Sequence, residues 1–138
     1  MKSIVLILTF AFAGFFKNSN AQVPDTLVYL KSIVTKKSFY IGKPFSVLRD
    51  SLKIQIKFFS PNSEIVSDIR KETSTSFGFY SPITVDEMYL TYPHLIVSWQ
   101  PYLNAIQSRN FYNAGLGWVP IVKAFYATAI IADIRILE

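Results

Sequence analysis

Alternating apolar and polar positions predict the strands of this chain. The alternation is most regular over residues 129–137, where one side of a strand is expected to face the core. The residues on that side are Ile130, Ala132, Ile134 and Ile136. Asp133 and Arg135 are expected to face solvent. Residues 53–58 alternate as strictly and predict another strand, which the polar and proline residues at 60–63 end.

Two shorter apolar runs predict further strands, at residues 75–80 and 95–99. In the first run Phe77 and Phe79 fall on the same side, because side chains alternate along a strand. Pro101 is expected to end the second run, since proline cannot donate a hydrogen bond to a neighbouring strand.

Helices are predicted where apolar residues recur every three or four positions after a starting signal. One helix is expected at 25–36, where Asp25 suits its start, and others begin at Pro44 and Pro120. A short helical piece is expected at 102–108 within a loop. Because the strands mostly follow one another without a crossover helix, their sheet is expected to be antiparallel. We therefore predict a two-layer α+β fold, with a mainly antiparallel sheet of about four strands and two or three short helices on one face.

The N-terminus has the pattern of a secretory signal peptide. Lys2 precedes an apolar run at 4–16, and a polar stretch then ends with Ser19 and Ala21 in the positions of a cleavage site. The run is shorter than the roughly 20 apolar residues that span a bilayer. We therefore expect a signal peptide at 1–21, a single domain at 22–138, and a periplasmic or secreted location without a stable membrane anchor.

Positive charge is concentrated in one part of the chain. The formal net charge is +5, and residues 31–57 carry most of the excess. The basic residues there are Lys31, Lys36, Lys37, Lys43, Arg49, Lys53 and Lys57, against Asp50 alone. This basic region either contacts an anionic surface, such as lipid or polysaccharide, or is a solvated face that keeps the protein soluble. Since export is expected, we expect no nucleic-acid partner.

Residue types that carry common chemistry are scarce. The chain has no cysteine and a single histidine, His94, whereas a zinc site commonly takes three or four ligands. Glu64, Asp68 and Glu72 would share one face of a helix and could bind a hard cation. Like charges at that spacing oppose a helix, so a solvated loop is predicted at 64–72. No nucleophile motif occurs, and we expect no catalytic residues, no metal and no cofactor.

Aromatic residues cluster between positions 99 and 118. Rings exposed on a loop could stack on a sugar or a peptide, whereas buried rings would simply fill the core. The candidate ligand-binding residues are Trp99, Tyr102, Tyr112 and Trp118.

Two segments carry a resemblance to known proteins. The sequence YIGKPFSVL at 40–48 and the final strand IIADIRI at 130–136 resemble those of small exported proteins of Bacteroidota that have no assigned activity. The signal peptide, ending at Ala21, is similar to those of the same phylum. The resemblance implies an origin and an exported compartment, and it carries over no catalytic residue.

Together these features predict an exported, non-enzymatic domain that binds or supports a cell-envelope component, either a protein or a glycan. Two alternatives stay open. One is a hydrolase that acts on cell-wall or glycan material, and the other is a self-associating envelope subunit.

Overall fold

The computed structural model describes residues 25–81 and 92–138. The predicted signal peptide lies outside these residues. The helices are α1 (Thr26–Thr35), α2 (Lys37–Tyr40), α3 (Phe45–Ser51), α4 (Ala105–Asn113) and α5 (Pro120–Ala127). The strands are β1 (Phe58–Asn62), β2 (Lys71–Gly78), β3 (His94–Asn104) and β4 (Ile131–Leu137).

The four strands form one antiparallel sheet in the order β1-β2-β3-β4. This confirms the predicted α+β class with an antiparallel four-stranded sheet. The described residues contain five helices, more than the two or three expected. No helix among them is long and apolar enough to cross a membrane.

One face of the sheet packs against the helices. The strand register aligns Phe59 with Phe77 and Phe77 with Leu95, so the three side chains share a face across β1, β2 and β3. All three are buried. They belong to the same core as Leu30 of α1 and Phe45 of α3. Burial of these apolar side chains is the main force that holds the helical layer on the sheet.

The other face of the sheet is more polar. Ser76 and Arg135 lie on it, in a row that crosses β2, β3 and β4. The Arg135 side chain is exposed, as predicted, and its Nη2 lies 2.9 Å from Oε1 of Glu64. Asp133 is half-buried rather than fully exposed, because its carboxylate pairs with Lys37 Nζ of α2 at 2.8 Å.

Three helices begin where the sequence predicts. The Asp25 side chain accepts a hydrogen bond from Val28 N at the start of α1. Pro44 and Pro120 stand at the starts of α3 and α5. The piece predicted at 102–108 instead becomes α4, which begins later because the side chain of Asn104 caps it.

The strand predicted at 53–58 is wrong. β1 starts at Phe58, because its partner β2 ends at Gly78, which pairs with Phe58. Residues 52–57 still alternate between less and more exposed positions, but they belong to none of the four strands. Lys57 N donates to Gly78 O at the end of β2, at 2.7 Å. Pro61 is tolerated inside β1 because β1 is an edge strand.

Strands β2 and β3 are longer than predicted. β2 begins at Lys71, where a loop was expected, and β3 continues through Pro101 to Asn104. The prediction that Pro101 ends β3 is wrong, because a register shift takes residues 99–102 out of pairing with β2. In such a bulge Pro101 does not have to donate a backbone hydrogen bond to the neighbouring strand, so the strand can continue through it.

The last strand is confirmed, but its inward-facing set differs in part. Ile134 is fully buried, as predicted. The pairing of β4 with β3 shifts by one residue, so Ala132 has no partner in β3. The alternation of inward- and outward-facing side chains therefore changes at this bulge. As a result Ile131, rather than Ile130, is buried in the core.

Candidate functional site

The four aromatic residues predicted to bind a ligand occupy different environments. Trp99 is 1% exposed, so its ring offers no surface to a ligand. Tyr102 and Tyr112 are 47% and 51% exposed. Trp118 is half-buried, packs against the core and lines an open cleft. The four rings are therefore not gathered into one surface, and Trp118 is the one that lies at the cleft.

The cleft has a volume of about 670 Å³. It is lined by Arg49, Leu52, Ile54, Gln55, Ile56, Lys57, Trp118 and Lys123. Its volume falls in the range of ordinary small-ligand sites, roughly 300–1,000 Å³. Arg49 and Lys57 come from the basic region predicted at 31–57, and the fold brings Lys123 of α5 to them.

One wall of the cleft is the segment that follows α3. Arg49 lies in the last turn of α3, and residues 52–57 run on toward β1. Leu52 and Ile54 pack partly against the core, and Ile56 is buried. These apolar contacts, together with the backbone hydrogen bond from Lys57 N to Gly78 O, hold the segment in place and leave the Lys57 side chain exposed.

The start of α5 also contributes to the lining of the cleft. Val122 and Tyr126 are buried and anchor one face of this helix in the core. Lys123 follows Val122 on the adjoining face and lines the cleft beside Trp118. Sequence spacing within a single helix thus separates the anchoring side chains from the charged one.

The cleft carries three positive groups, Arg49, Lys57 and Lys123, which we call the cleft cations. Arg49 Nε pairs with Oδ1 of the exposed Asp50 at 3.1 Å, and Lys57 Nζ donates to Gln55 Oε1 at 3.3 Å. Lys123 forms no salt bridge with any residue in the described ranges. None of the lining residues within 25–81 and 92–138 is acidic. A cleft with one sign of charge raises the local concentration of ligands of the opposite sign.

Trp118 adds an aromatic surface and a hydrogen-bond donor to the cleft. Its ring lies 5.4 Å from that of Phe77, edge-on, and 6.1 Å from that of Tyr126, nearly parallel. Among the described residues the Trp118 Nε1–H has no acceptor. It is nevertheless not a buried atom without a partner, since Glu72 Oε2 is the one such side-chain atom in the described ranges. The indole N–H of Trp118 is therefore not sealed in the core and is available to a ligand or to water.

A second polar cluster lies inside the core, around Glu72. This residue is fully buried. Its Oε1 accepts hydrogen bonds from Thr75 Oγ1 and from Tyr126 OH, the latter at 2.8 Å. Thr75 Oγ1 in turn accepts the Trp99 Nε1–H at 2.9 Å. The cluster thus ties α5 and β3 to the central strand β2.

The carboxyl group of Glu72 is held toward its neutral form. Burial raises the pKa of Glu72, and the nearby hydroxyls of Ser108, Thr75 and Tyr126 only partly oppose this. The positive charge of Arg109 in α4 lowers the pKa of Glu72 by a smaller effect than these hydroxyls do. Burial and the Glu72 carboxylate also raise the pKa of Tyr126. Because no solvent reaches the cluster, it serves to join elements rather than to bind a ligand.

The other candidates for chemistry are dispersed. Glu64 pairs with Arg135, and Asp68 pairs with Arg70 at 3.1 Å, while Glu72 is buried in the core. These three carboxylates therefore do not meet, and no group of three or more metal-ligating side chains occurs within 25–81 and 92–138.

His94 packs its ring against that of Phe58, with 5.2 Å between centroids, and burial lowers its pKa. A histidine placed this way is neutral at pH 7. It is not a lining residue of the cleft, so it contributes no acid–base group there.

Comparison of the chain with protein-family models, with curated proteins and with solved structures gives no significant match.

Sequence reasoning missed two parts of this arrangement. It named Lys57 and Trp118 separately, but it did not place Lys123 beside them. It considered Glu72 only as a surface carboxylate. The run of small polar residues at 73–76 is a signal that could have suggested a polar cluster in a buried strand.

Proposed function

We propose that this protein is an exported, non-enzymatic domain that binds a component of the cell envelope, and that the cleft binds an anionic group of that component. The observation that carries the proposal is the set of cleft cations that line the same space as Trp118, with no acidic side chain among the described lining residues. The expected export comes from the signal-peptide pattern at 1–21 and from the resemblance to exported proteins.

The lining of the cleft favours binding over hydrolysis. Most glycoside hydrolases place two carboxylic side chains on either side of the bond that they cleave. The lining residues that the structure describes include neither a carboxylate nor a histidine. Arginine and lysine hold carboxylate, sulfate or phosphate groups by charge-assisted hydrogen bonds, which is a binding role.

Titration of the protein with a small polyanion tests this proposal. At low ionic strength we expect hexaglutamate and hexagalacturonate to bind. The double variant Lys57→Gln/Lys123→Gln should weaken both about tenfold or more, since a hydrogen bond to a charged group is worth about 1.5–3 kcal/mol. Calorimetric titration gives both affinities, and added salt should weaken them further.

A charge-matched control separates the cleft from general surface charge. Lys31 and Lys36 are exposed residues of the basic region that do not line the cleft. Lys31→Gln/Lys36→Gln removes the same two charges and should change the affinities by less than about threefold, because exposed charges at a distance are screened. Equal losses in the two double variants would refute a binding site at the cleft.

A further inference from the structure

We propose that the ligand of the cleft is an anionic oligosaccharide, with a sugar ring against Trp118 and its acid groups on the cleft cations. This inference rests on the proposed function, because it names the kind of anion that the cleft takes.

The position of Trp118 supports a ring-shaped ligand. Its inner contacts are with core rings, including Phe77 and Tyr126, which hold the indole in place. Its exposed part lies in the cleft. A sugar ring presents an apolar face of C–H groups, which packs on an aromatic surface, and polar groups at its edge. A fixed indole costs little conformational entropy when such a ring binds.

The donors of the cleft suit the edge of that ring. The Trp118 N–H has no acceptor among the described residues, and the Gln55 side chain lines the same space. Hydroxyl and ring oxygens of a sugar accept hydrogen bonds from such neutral donors. Leu52 and Ile54 contribute apolar surface to the same lining. A simple inorganic anion would leave these neutral and apolar groups without a partner.

The closeness of charge and aromatic surface favours an acidic sugar over an acidic peptide. The cleft cations and Trp118 line one space of about 670 Å³. In a uronic acid or a sulfated sugar the acid group is attached directly to the ring, so a ring on Trp118 brings its charge to the cations. In an acidic peptide the carboxylates sit on flexible side chains, and no ring covers the indole.

Four probes of known composition test the inference by calorimetric titration. Hexagalacturonate carries sugar rings with carboxylates, and a heparin-derived hexasaccharide carries sugar rings with sulfates as well. Hexaglutamate carries carboxylates without sugar, and maltohexaose carries sugar without charge. We expect one of the acidic saccharides to bind about tenfold more tightly than hexaglutamate. Maltohexaose should bind more weakly than either. The tighter of the two acidic saccharides identifies the acid group.

Variants assign the sugar preference to Trp118. Trp118→Leu should lower the affinity for the acidic saccharide about three- to tenfold, the range expected for loss of an aromatic contact. The same change should leave hexaglutamate within about twofold. The double variant Lys57→Gln/Lys123→Gln should lower the affinities for both the acidic saccharide and hexaglutamate. If hexaglutamate binds as tightly as the saccharides and Trp118→Leu changes neither, the sugar inference is wrong while anion binding stands. If no anion binds, the proposed function fails with it.

A measurement on the unaltered protein covers the case in which Trp118→Leu does not fold. The chain has two tryptophans, and Trp99 is sealed in the core. Acrylamide quenching of tryptophan fluorescence therefore reports on Trp118. Bound hexagalacturonate or heparin hexasaccharide should protect this fluorescence more than hexaglutamate does at equal occupancy. Equal protection by the saccharides and the peptide would overturn the inference.

Discussion

Trp99 and Trp118 lie beside the same residue but in two different kinds of surroundings. Both indole rings lie nearly parallel to the ring of Tyr126, with centroids 5.8 Å and 6.1 Å away. Trp99 is enclosed, and its N–H donates to Thr75. Trp118 is half-buried, and its N–H finds no acceptor among the described residues.

The two sides of this aromatic cluster differ in how their polar groups are paired. On the Trp99 side, polar atoms of three side chains satisfy one another around Glu72, which stabilises the fold without contact to solvent. On the Trp118 side, Arg49 and Lys57 contact only the neighbouring side chains of Asp50 and Gln55 within the described residues, and Lys123 has no ion pair there. The Trp99 side is closed to solvent and leaves Glu72 Oε2 without a partner among the described residues, whereas the Trp118 side is open and is the side that we propose binds a ligand.

The largest expected difference between the two sides is in the cost of removing each indole. Trp99→Ala should lower the free energy of unfolding by about 3–5 kcal/mol, because it leaves a cavity in the core and takes the donor from Thr75. Trp118→Ala should cost about 1–2 kcal/mol, since its ring is partly exposed and the loss falls in the usual range for a partly buried site. Urea unfolding followed by circular dichroism measures both values.

Equal costs for the two alanine variants would contradict the comparison. They would mean that Trp118 supports the fold as much as Trp99 does, and burial would then not distinguish the two tryptophans.

Glu72 gives the next test, through the dependence of stability on pH. Because its pKa is raised above the ordinary value of 4.5, the folded protein keeps a proton that the unfolded chain has lost above that pH. Unfolding then releases a proton, so this group's contribution to stability is complete below about pH 4.5 and is lost as pH rises through the folded pKa.

Glu72→Gln removes this titration while keeping the side-chain oxygen that accepts from Thr75 and Tyr126. The variant should be more stable than the parent protein at pH 8 by about 1–3 kcal/mol, the cost of a buried polar group that is poorly paired. The difference should disappear toward pH 4. Thermal unfolding across this pH range measures it, and a constant difference at all pH values would show that Glu72 does not titrate as inferred.

Local signals were enough to predict part of this fold. Asp25 and Pro44 each lie next to the first residue of a helix, and Pro120 is itself the first residue of one. The starts of α1, α3 and α5 can therefore be predicted from the local sequence. The ends of strands depended on partners far along the chain. β1 starts where Gly78 supplies a pair, and the inward face of β4 is decided by a bulge beside β3. No local pattern contains that information.

The same distinction applies to the candidate site. The basic region and Trp118 are visible in the sequence, because composition alone marks them. Their meeting with Lys123 requires α5 to pack beside residues 52–57, which only the folded chain shows. The burial of Trp99 depends likewise on Thr75, 24 positions away. Sequence reasoning could therefore name the residue types of the site but not which of them share a space.

The smallest expected effect comes from the hydroxyl of Tyr126, and it separates stability from binding. Tyr126→Phe removes one donor to Glu72 Oε1, but Thr75 still donates to that oxygen, so the loss should be about 0.5–1.5 kcal/mol. The ring that lies beside both tryptophans is retained. Affinity for hexagalacturonate should therefore change less than twofold. Tyr112→Phe, at an exposed tyrosine, is the matched control and should cost under about 0.5 kcal/mol. A large loss of affinity in Tyr126→Phe, measured by calorimetric titration, would mean that the core cluster and the cleft are one site rather than two.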